Sequence, residues 1–202
     1  MSDNSKRTVA VFDFDGTLTT RDSMLEFIAF AFGRARLLWG LLCCSPTLLA
    51  YSIGLCRRDK AKQQLLAHFF SGMTRSRLGS LGELFASRID TFANRQTLAA
   101  MESLCSSGDC TVYVISASVS EWVAPWCRRH GVINIICTEM EATADGRLTG
   151  RLAGKNCHGR EKAIRLLAAE PCRDSYRLLV YGDSSGDADL MAIADERHWV
   201  KR

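Results

Sequence analysis

The apolar run Val9-Ala10-Val11-Phe12 leads into Asp13-Phe14-Asp15-Gly16-Thr17-Leu18-Thr19, so two carboxylates two positions apart leave a strand end on the same side of the backbone. Gly16 then lets the chain turn sharply beside whatever they hold. Two acids abutting a buried strand leave water next to a like charge, which is unfavourable unless a cation or a shared proton offsets it. The natural offset is a hard divalent ion with oxygen ligands, and it points to phosphate chemistry. Asp13, the last side chain before the turn, is placed to attack phosphorus and form an aspartyl phosphate, dividing one hard displacement into two easier ones. Asp15 is placed to protonate the departing oxygen and later to take a proton from the hydrolytic water. Proximity to Asp13 and to a phosphate dianion raises its pKa in the direction that role requires.

A second acidic strand end lies near the other extreme of the chain, where Leu178-Leu179-Val180-Tyr181-Gly182 runs into Asp183-Ser184-Ser185-Gly186-Asp187. Asp183 is the candidate to complete a Mg²⁺ site with Asp13 and the main-chain oxygen of Asp15. Asp187 would orient that shell and hold a lysine. Between the two ends, Val112-Tyr113-Val114-Ile115 stops at Ser116-Ala117-Ser118. A hydroxyl with backbone N–H groups at a strand-to-helix junction makes an anion pocket, which nominates Ser116 for phosphate, while Ser118 and Ser120 read as simple helix caps. Lys162, near the start of a helical stretch from Arg160 to Ala169, is the candidate point charge over a phosphate oxygen, with Lys155 as its competitor. Gly154-Lys155-Asn156 is not a phosphate loop of the Gly-x-x-x-x-Gly-Lys-Ser/Thr kind, because residue 149 is Thr and residue 156 is Asn.

The elements that must position these groups are legible from pattern. Val9 to Phe12, Thr111 to Ile115 and Leu178 to Tyr181 read as buried parallel strands, and Val132 to Thr138 as a fourth. Glu139 to Thr143 and Arg147 to Leu152 flank Asp145-Gly146, a strong hairpin-turn dipeptide. Strands alternating with helices predict an α/β fold: a Rossmann-like three-layer α/β/α core with a mostly parallel sheet and ligands at the carboxyl ends of its strands. The wholly helical stretch from about Ser23 to Ser106 exceeds what one crossover needs, so part of it is an inserted helical cap. The expected division is a core of 1–20 and 100–202 with a cap of 21–99 inserted after the first strand. Ser23-Met24-Leu25-Glu26 reads as a capping box, and Ser45-Pro46 as a second helix start. Ala61, Leu65 and Phe69 form one apolar stripe, and Leu78, Leu81, Phe85, Ile89 and Phe92 another.

Bulk properties narrow the classes. With 202 residues, 47% apolar and 24% charged, the chain can bury a full core and shows no signature of disorder. A formal charge of +4 without a basic stripe interleaved with aromatics argues against nucleic acid as a partner. Nine cysteines without a Cys-x-x-Cys suggest neither a disulfide framework nor a zinc site, and fit reduced thiols in a cytoplasm. The polar segment Met1 to Arg7 lacks the apolar stretch of a secretory signal. His68, His130, His158 and His198 are isolated and read as surface or packing residues.

DFDGTLT, VISAS, CHGREK and YGDSSGD, in that order across the chain, resemble the four motifs of the haloacid dehalogenase-like hydrolase superfamily, and within it the phosphoserine phosphatase-like branch (subfamily IB) with a helical cap between the first and second motifs. The second aspartate resembles the phosphatase form and argues against a true dehalogenase. The resemblance implies Asp13 as nucleophile, Asp15 as acid/base, Ser116 and Lys162 as phosphate ligands, Asp183 as metal ligand with Asp13 and Asp15, and Asp187 in support. Lys162, 21 residues before Asp183, fits the family spacing better than Lys155. The implied function is Mg²⁺-dependent hydrolysis of a small phosphorylated substrate. A phosphotransferase or mutase on the same fold is one alternative. For a phosphoserine enzyme's substrate groups, Asp22, Arg57 and Arg58 are the candidates.

Leu37 to Cys56 is twenty residues without a charge, flanked by Arg34, Arg36, Arg57, Arg58 and Lys60. Ser45-Pro46 is expected to divide it into two pieces, each too short to cross a bilayer. Two packed cap helices are one reading. The other is a shallow hairpin at an anionic membrane surface, a peripheral contact through 37–56 that is similar to phosphatidylglycerophosphate phosphatases of the superfamily and would make the chain a phospholipid phosphatase at the inner face of the membrane.

Overall fold

A computed structural model of the chain describes residues 6–55 and 58–201. In chain order its elements are β1 (Arg7–Phe12), α1 (Ser23–Phe32), α2 (Arg34–Ser52), α3 (Arg58–Phe70), α4 (Arg75–Ile89), α5 (Arg95–Ser106), β2 (Cys110–Val119), α6 (Ser120–Arg129), β3 (Asn134–Thr138), β4 (Met140–Ala142), β5 (Leu148–Leu152), α7 (Arg160–Ala169), β6 (Tyr176–Gly182), α8 (Ala188–Ala192) and β7 (Glu196–Trp199). Strands β3, β2, β1, β6 and β7 form one sheet in that order, and all of its pairings are parallel. The fold is therefore a mostly parallel α/β sheet of the Rossmann-like kind.

The two-residue period of the strands divides the core into two layers. Val9, Val11, Ile115, Leu178 and Val180 face one way, onto Ala163 and Leu166 of α7 and Leu190 and Met191 of α8. Ala10, Phe12, Val112 and Val114 face the other way, onto Met101 of α5 and Trp122, Val123 and Trp126 of α6. Both faces are covered, as a parallel sheet requires. The order places β1 at the centre, flanked by β2 and β6, so the strand ends at Asp13 and Asp183 lie side by side with Ser116 of β2 beside them.

Among the described residues, five α-helices and one 3-10 turn (Asp90–Phe92) separate β1 from β2. They are tied to the sheet layer through aromatic rings: Phe27 of α1 stacks on Trp122 of α6 at 4.7 Å between centroids and meets Phe85 of α4 edge-on at 5.1 Å. The β4–β5 hairpin packs against α3, with Gly72 N–H donating to the Leu148 carbonyl at 2.8 Å.

Four local expectations need correction. The cap of α1 is Asp22, whose carboxylate accepts from Leu25 N–H at 3.0 Å, while Ser23 is buried and bonded elsewhere. Ser45-Pro46 starts no helix: α2 runs unbroken for 19 residues with Pro46 inside it. The missing N–H faces the carbonyl of Leu42, four residues back on the exposed side of the helix, where water can take its place. The hairpin expected in 37–56 is therefore one helix up to Ser52, with Cys56 and Arg57 outside the described residues. Among the described residues no helix is long and apolar enough to cross a membrane. Finally, β7 was not anticipated, because Glu-Arg-His-Trp carries no apolar run. As an edge strand it needs only one partner, β6.

Candidate active site

The β1–β6 ladder carries past the strand end, with Asp13 N–H donating to the Tyr181 carbonyl at 2.9 Å, which fixes where the Asp13 side chain starts. The chain then reverses through Gly16, whose φ of 87° lies in the left-handed region, and Leu18 N–H closes the turn on the Phe14 carbonyl at 2.9 Å. Asp13 is buried, and one of its carboxylate oxygens accepts from Lys162 Nζ at 2.5 Å. The same ammonium donates to Asp187 at 2.6 Å. Lys162 is only 3% exposed, in the first turn of α7, so it is a buried cation between two carboxylates and not a solvated lysine.

Asp187 is positioned from the β6 side. Its second oxygen accepts from the backbone N–H groups of Asp183 and Ser184, both at 3.3 Å. Gly182 makes this possible: a Cβ there would lie 2.7 Å from the Asp187 carboxyl carbon. Asp13, Asp183 and Asp187 each offer one oxygen, and the three atoms lie within 4.8 Å of one another. An all-oxygen, all-carboxylate donor set from two adjacent strand ends fits a hard divalent cation such as Mg²⁺.

Asp15 points elsewhere. Its two oxygens accept from Ser23 N–H at 2.7 Å and from Ser118 Oγ at 2.5 Å. Behind them, Trp122 Nε1 donates to Ser23 Oγ and Ser23 Oγ donates to Ser118 Oγ, a relay that begins in the aromatic core and ends on the carboxylate. The Asp15 side chain is thus outside the three-carboxylate cluster, leaving its main-chain oxygen as the atom the metal assignment depends on. Ser118, expected to be a simple cap, instead orients Asp15. Ser120 opens α6, which has Val119 at its cap position and no side-chain cap hydrogen bond. Ser116, also buried, accepts from Ser118 N–H at 2.9 Å, where the β2–β3 register breaks between Ser116 and Val119 and frees the intervening backbone.

Burial dominates the electrostatics. It pushes Asp13 up to about 7 against the pull of the Lys162 ammonium, with Asp187 adding to the rise. Burial likewise raises Asp15 to about 6, helped by the charge of Asp22 and opposed by the Ser118 and Ser23 donors. Burial works against the charge on Lys162, but Asp13 and Asp187 outweigh it and hold the ammonium above its ordinary value.

Asp13, Asp15, Ser116, Ser118 and Lys162 all line one cavity of about 350 Å³. A family model for haloacid dehalogenase-like hydrolases matches residues 10–192. The chain belongs to that family. The hydrolase is 34% identical over 190 residues to Protein CicA of Caulobacter vibrioides, covering 94% of this chain and 84% of that one. It is 29% identical over 193 residues to Probable phosphatase Rv3661 of Mycobacterium tuberculosis, covering 92% and 66%. Among solved structures, a Bordetella pertussis protein of unknown function is similar at a TM-score of 0.81 and 23% identity, over 96% of this chain and 89% of that one. A phospho-aspartyl intermediate analogue of phosphoserine phosphatase is similar at 0.64 and 15%, over 96% and 86%. Both structural likenesses speak to the fold.

The stretch between β1 and β2 supplies another part of the hydrolase's cavity wall, including Asp22, Met24, Tyr51, Lys62 and Leu65. Lys62 of α3 donates to the Ala117 carbonyl, between Ser116 and Ser118, and to Asn156 Oδ1 at 2.8 Å. Asn156 also accepts from Thr138 and donates to Asp59, each at 2.9 Å. This network ties α3 to the serine loop, and no sequence signal marked it, because single lysines and asparagines are mostly solvated. His158, read as isolated, lines the cavity. Lys155 is exposed, 4.0 Å from Glu161, and takes no part in the wall. Of the three substrate candidates Asp22 lines the cavity, Arg57 lies outside the described residues, and Arg58 opens α3.

Proposed function

We propose that this hydrolase is a Mg²⁺-dependent phosphatase that cleaves phosphomonoesters of small molecules through a phosphorylated Asp13. The observation that carries the reading is Lys162, a buried ammonium bonded at once to Asp13 and Asp187, at the cavity that Asp15 and Ser116 also line. A nucleophilic carboxylate, a separate carboxyl held near neutral pH and a buried cation are what two-step phosphoryl transfer to water needs.

Lys162 fixes the rotation of the Asp13 carboxylate and, with Ser116, offers donors to phosphate oxygens. An Asp13 oxygen bonds to phosphorus as the bond from phosphorus to the leaving oxygen breaks, and Asp15, protonated, gives that oxygen its proton. Asp15 then takes a proton from water, whose oxygen bonds to phosphorus as the Asp13–phosphorus bond breaks and free phosphate forms. The burial that raises Asp15 to about 6 lets it serve both halves near neutral pH. Asp13, Asp183 and the main-chain oxygen of Asp15 are the proposed metal ligands, with Asp187 holding Lys162 beside them. Mg²⁺, when bound, neutralises charge between carboxylate and phosphate.

In this reading residues 21–99 act as a cap over a core of 1–20 and 100–202, with α5 spanning the second join. The cap helices select the leaving group and exclude water. The cysteine pattern supports a reducing, cytoplasmic setting. The Mycobacterium tuberculosis relative named as a probable phosphatase supports the same chemistry. The test is a panel of phosphomonoesters assayed for phosphate release with Mg²⁺ and with chelator. Release that needs Mg²⁺ and vanishes in Asp13→Asn supports the reading; undiminished release by that variant contradicts it.

A further inference from the structure

We infer that the outer face of α2 is a docking surface for an anionic lipid bilayer. Its inner face is spent on the protein: Leu37, Leu41 and Cys44 pack into the core, and Gly40 lies against the Phe69 ring. Its outer face is also apolar. Leu38, Trp39, Leu42 and Leu49 are 67%, 63%, 62% and 64% exposed, and Ile53 continues the row past the last turn. A surface helix ordinarily turns charge outward, and single exposed leucines need no explanation, but a continuous row of them along one helix does.

Charge identifies the occupant. Arg34 and Arg36 are exposed at the start of α2 and Lys60 is exposed beyond its end, while no Asp or Glu occurs between Glu26 and Asp59. A second copy of the chain fits poorly, because both ends of the segment are basic. Parallel or antiparallel pairing of two such helices brings basic end toward basic end, Arg34 and Arg36 facing their like or Lys60, and the stretch before Asp59 holds no acid to intervene. An anionic headgroup layer meets both ends at once, and its acyl boundary accepts the leucines between them. Trp39, one turn from the arginines, suits the headgroup level. The helix lies on such a surface and does not span it.

The other side of α2 serves the cavity: Tyr51, seven residues after Cys44 and so on the same side of the helix, belongs to the wall that includes Asp13. The docking row is therefore separate from the cavity, and the docking does not rest on the proposed phosphatase reading.

The test is cosedimentation of the full chain with phosphatidylcholine vesicles, with and without phosphatidylglycerol, alongside light scattering of the free protein. Binding should require phosphatidylglycerol, weaken with salt, fall about fivefold for each of Arg34→Gln and Arg36→Gln, and fall at least about tenfold in Trp39→Ser/Leu42→Ser. That last variant should keep its thermal midpoint and its turnover of a soluble ester. Asp13→Asn should bind like the parent protein while losing turnover, so the docking and the phosphatase reading fail separately. Absence of binding to anionic vesicles, binding unmoved by Trp39→Ser/Leu42→Ser, or a concentration-dependent dimer that this variant dissociates would each overturn the docking.

Discussion

Ser118 Oγ lies 2.5 Å from Oδ2 of Asp15, joining the end of β2 to the turn after β1. The contact is the last link of the relay from Trp122 through Ser23, so the carboxyl proposed as acid/base is aimed by the core and held clear of the Asp13, Asp183 and Asp187 cluster. Two carboxylates two residues apart are thereby given different partners and different environments, as the proposed mechanism requires of one loop that supplies both a nucleophile and a proton donor.

Removing that donor should move the Asp15 titration upward, because a hydrogen bond to the ionised form lowers a carboxyl pKa. Ser118→Ala is expected to shift the pH–rate limb that reports Asp15 to higher pH and to lower kcat by about tenfold, the size of a lost hydrogen bond to a charged group. Ser118→Thr should restore part of both. A profile that stays in place in Ser118→Ala would mean the contact does not tune the acid.

Asp13 and Asp15 both have folded-state values above the ordinary carboxylate value near 4, at about 7 and about 6. Between those limits the folded chain binds more protons than the unfolded one, so stability in chelator should fall as pH rises from about 4 to about 7. The carboxylates of Glu170, lowered by Arg7, and Asp195, lowered by the Leu178 N–H, act in the opposite sense below that window. Thermal midpoints of Asp13→Asn and the parent protein should therefore diverge with pH, the variant gaining relative stability toward pH 7. Mg²⁺ should remove most of the divergence. A difference between the two that is constant with pH would contradict an Asp13 raised by burial.

Lys162→Met leaves Asp13 and Asp187 buried without their shared cation. Urea titration at neutral pH should show a loss of about 3 to 5 kcal/mol, the cost of breaking a buried ion pair from one side. Combining it with Asp13→Asn should cost less than the sum, since the second change removes one of the stranded charges. A single-variant loss below about 1 kcal/mol would show the lysine to be less buried than its geometry states.

Much of this was legible before any coordinates. Asp13 and Asp183 stand at the ends of apolar runs, and a buried strand that stops at a carboxylate is a signal neither surface composition nor core packing produces. The continuous apolar runs within β1, β2 and β6 foretold a sheet buried on both faces. What escaped was contributed by tertiary partners. Ser118 looks like any helix-capping serine until Asp15 is placed beside it, and Lys62 and Asn156 become part of the cavity wall only once α3 lies over the serine loop. Pro46 misled for a related reason: a proline breaks a helix only when the orphaned carbonyl has no other partner, and exposure of the preceding turn is not written in local sequence.

The central claim is that Asp13 carries the phosphoryl group. The direct measurement is acid quench of the enzyme during turnover of a ³²P-labelled phosphomonoester, followed by borohydride reduction and peptide mapping by mass spectrometry. The account predicts label that turns over with substrate, is lost in Asp13→Asn, and yields a reduced residue at position 13. Sustained phosphate release with no label on the protein, or label that persists in Asp13→Asn, would contradict it.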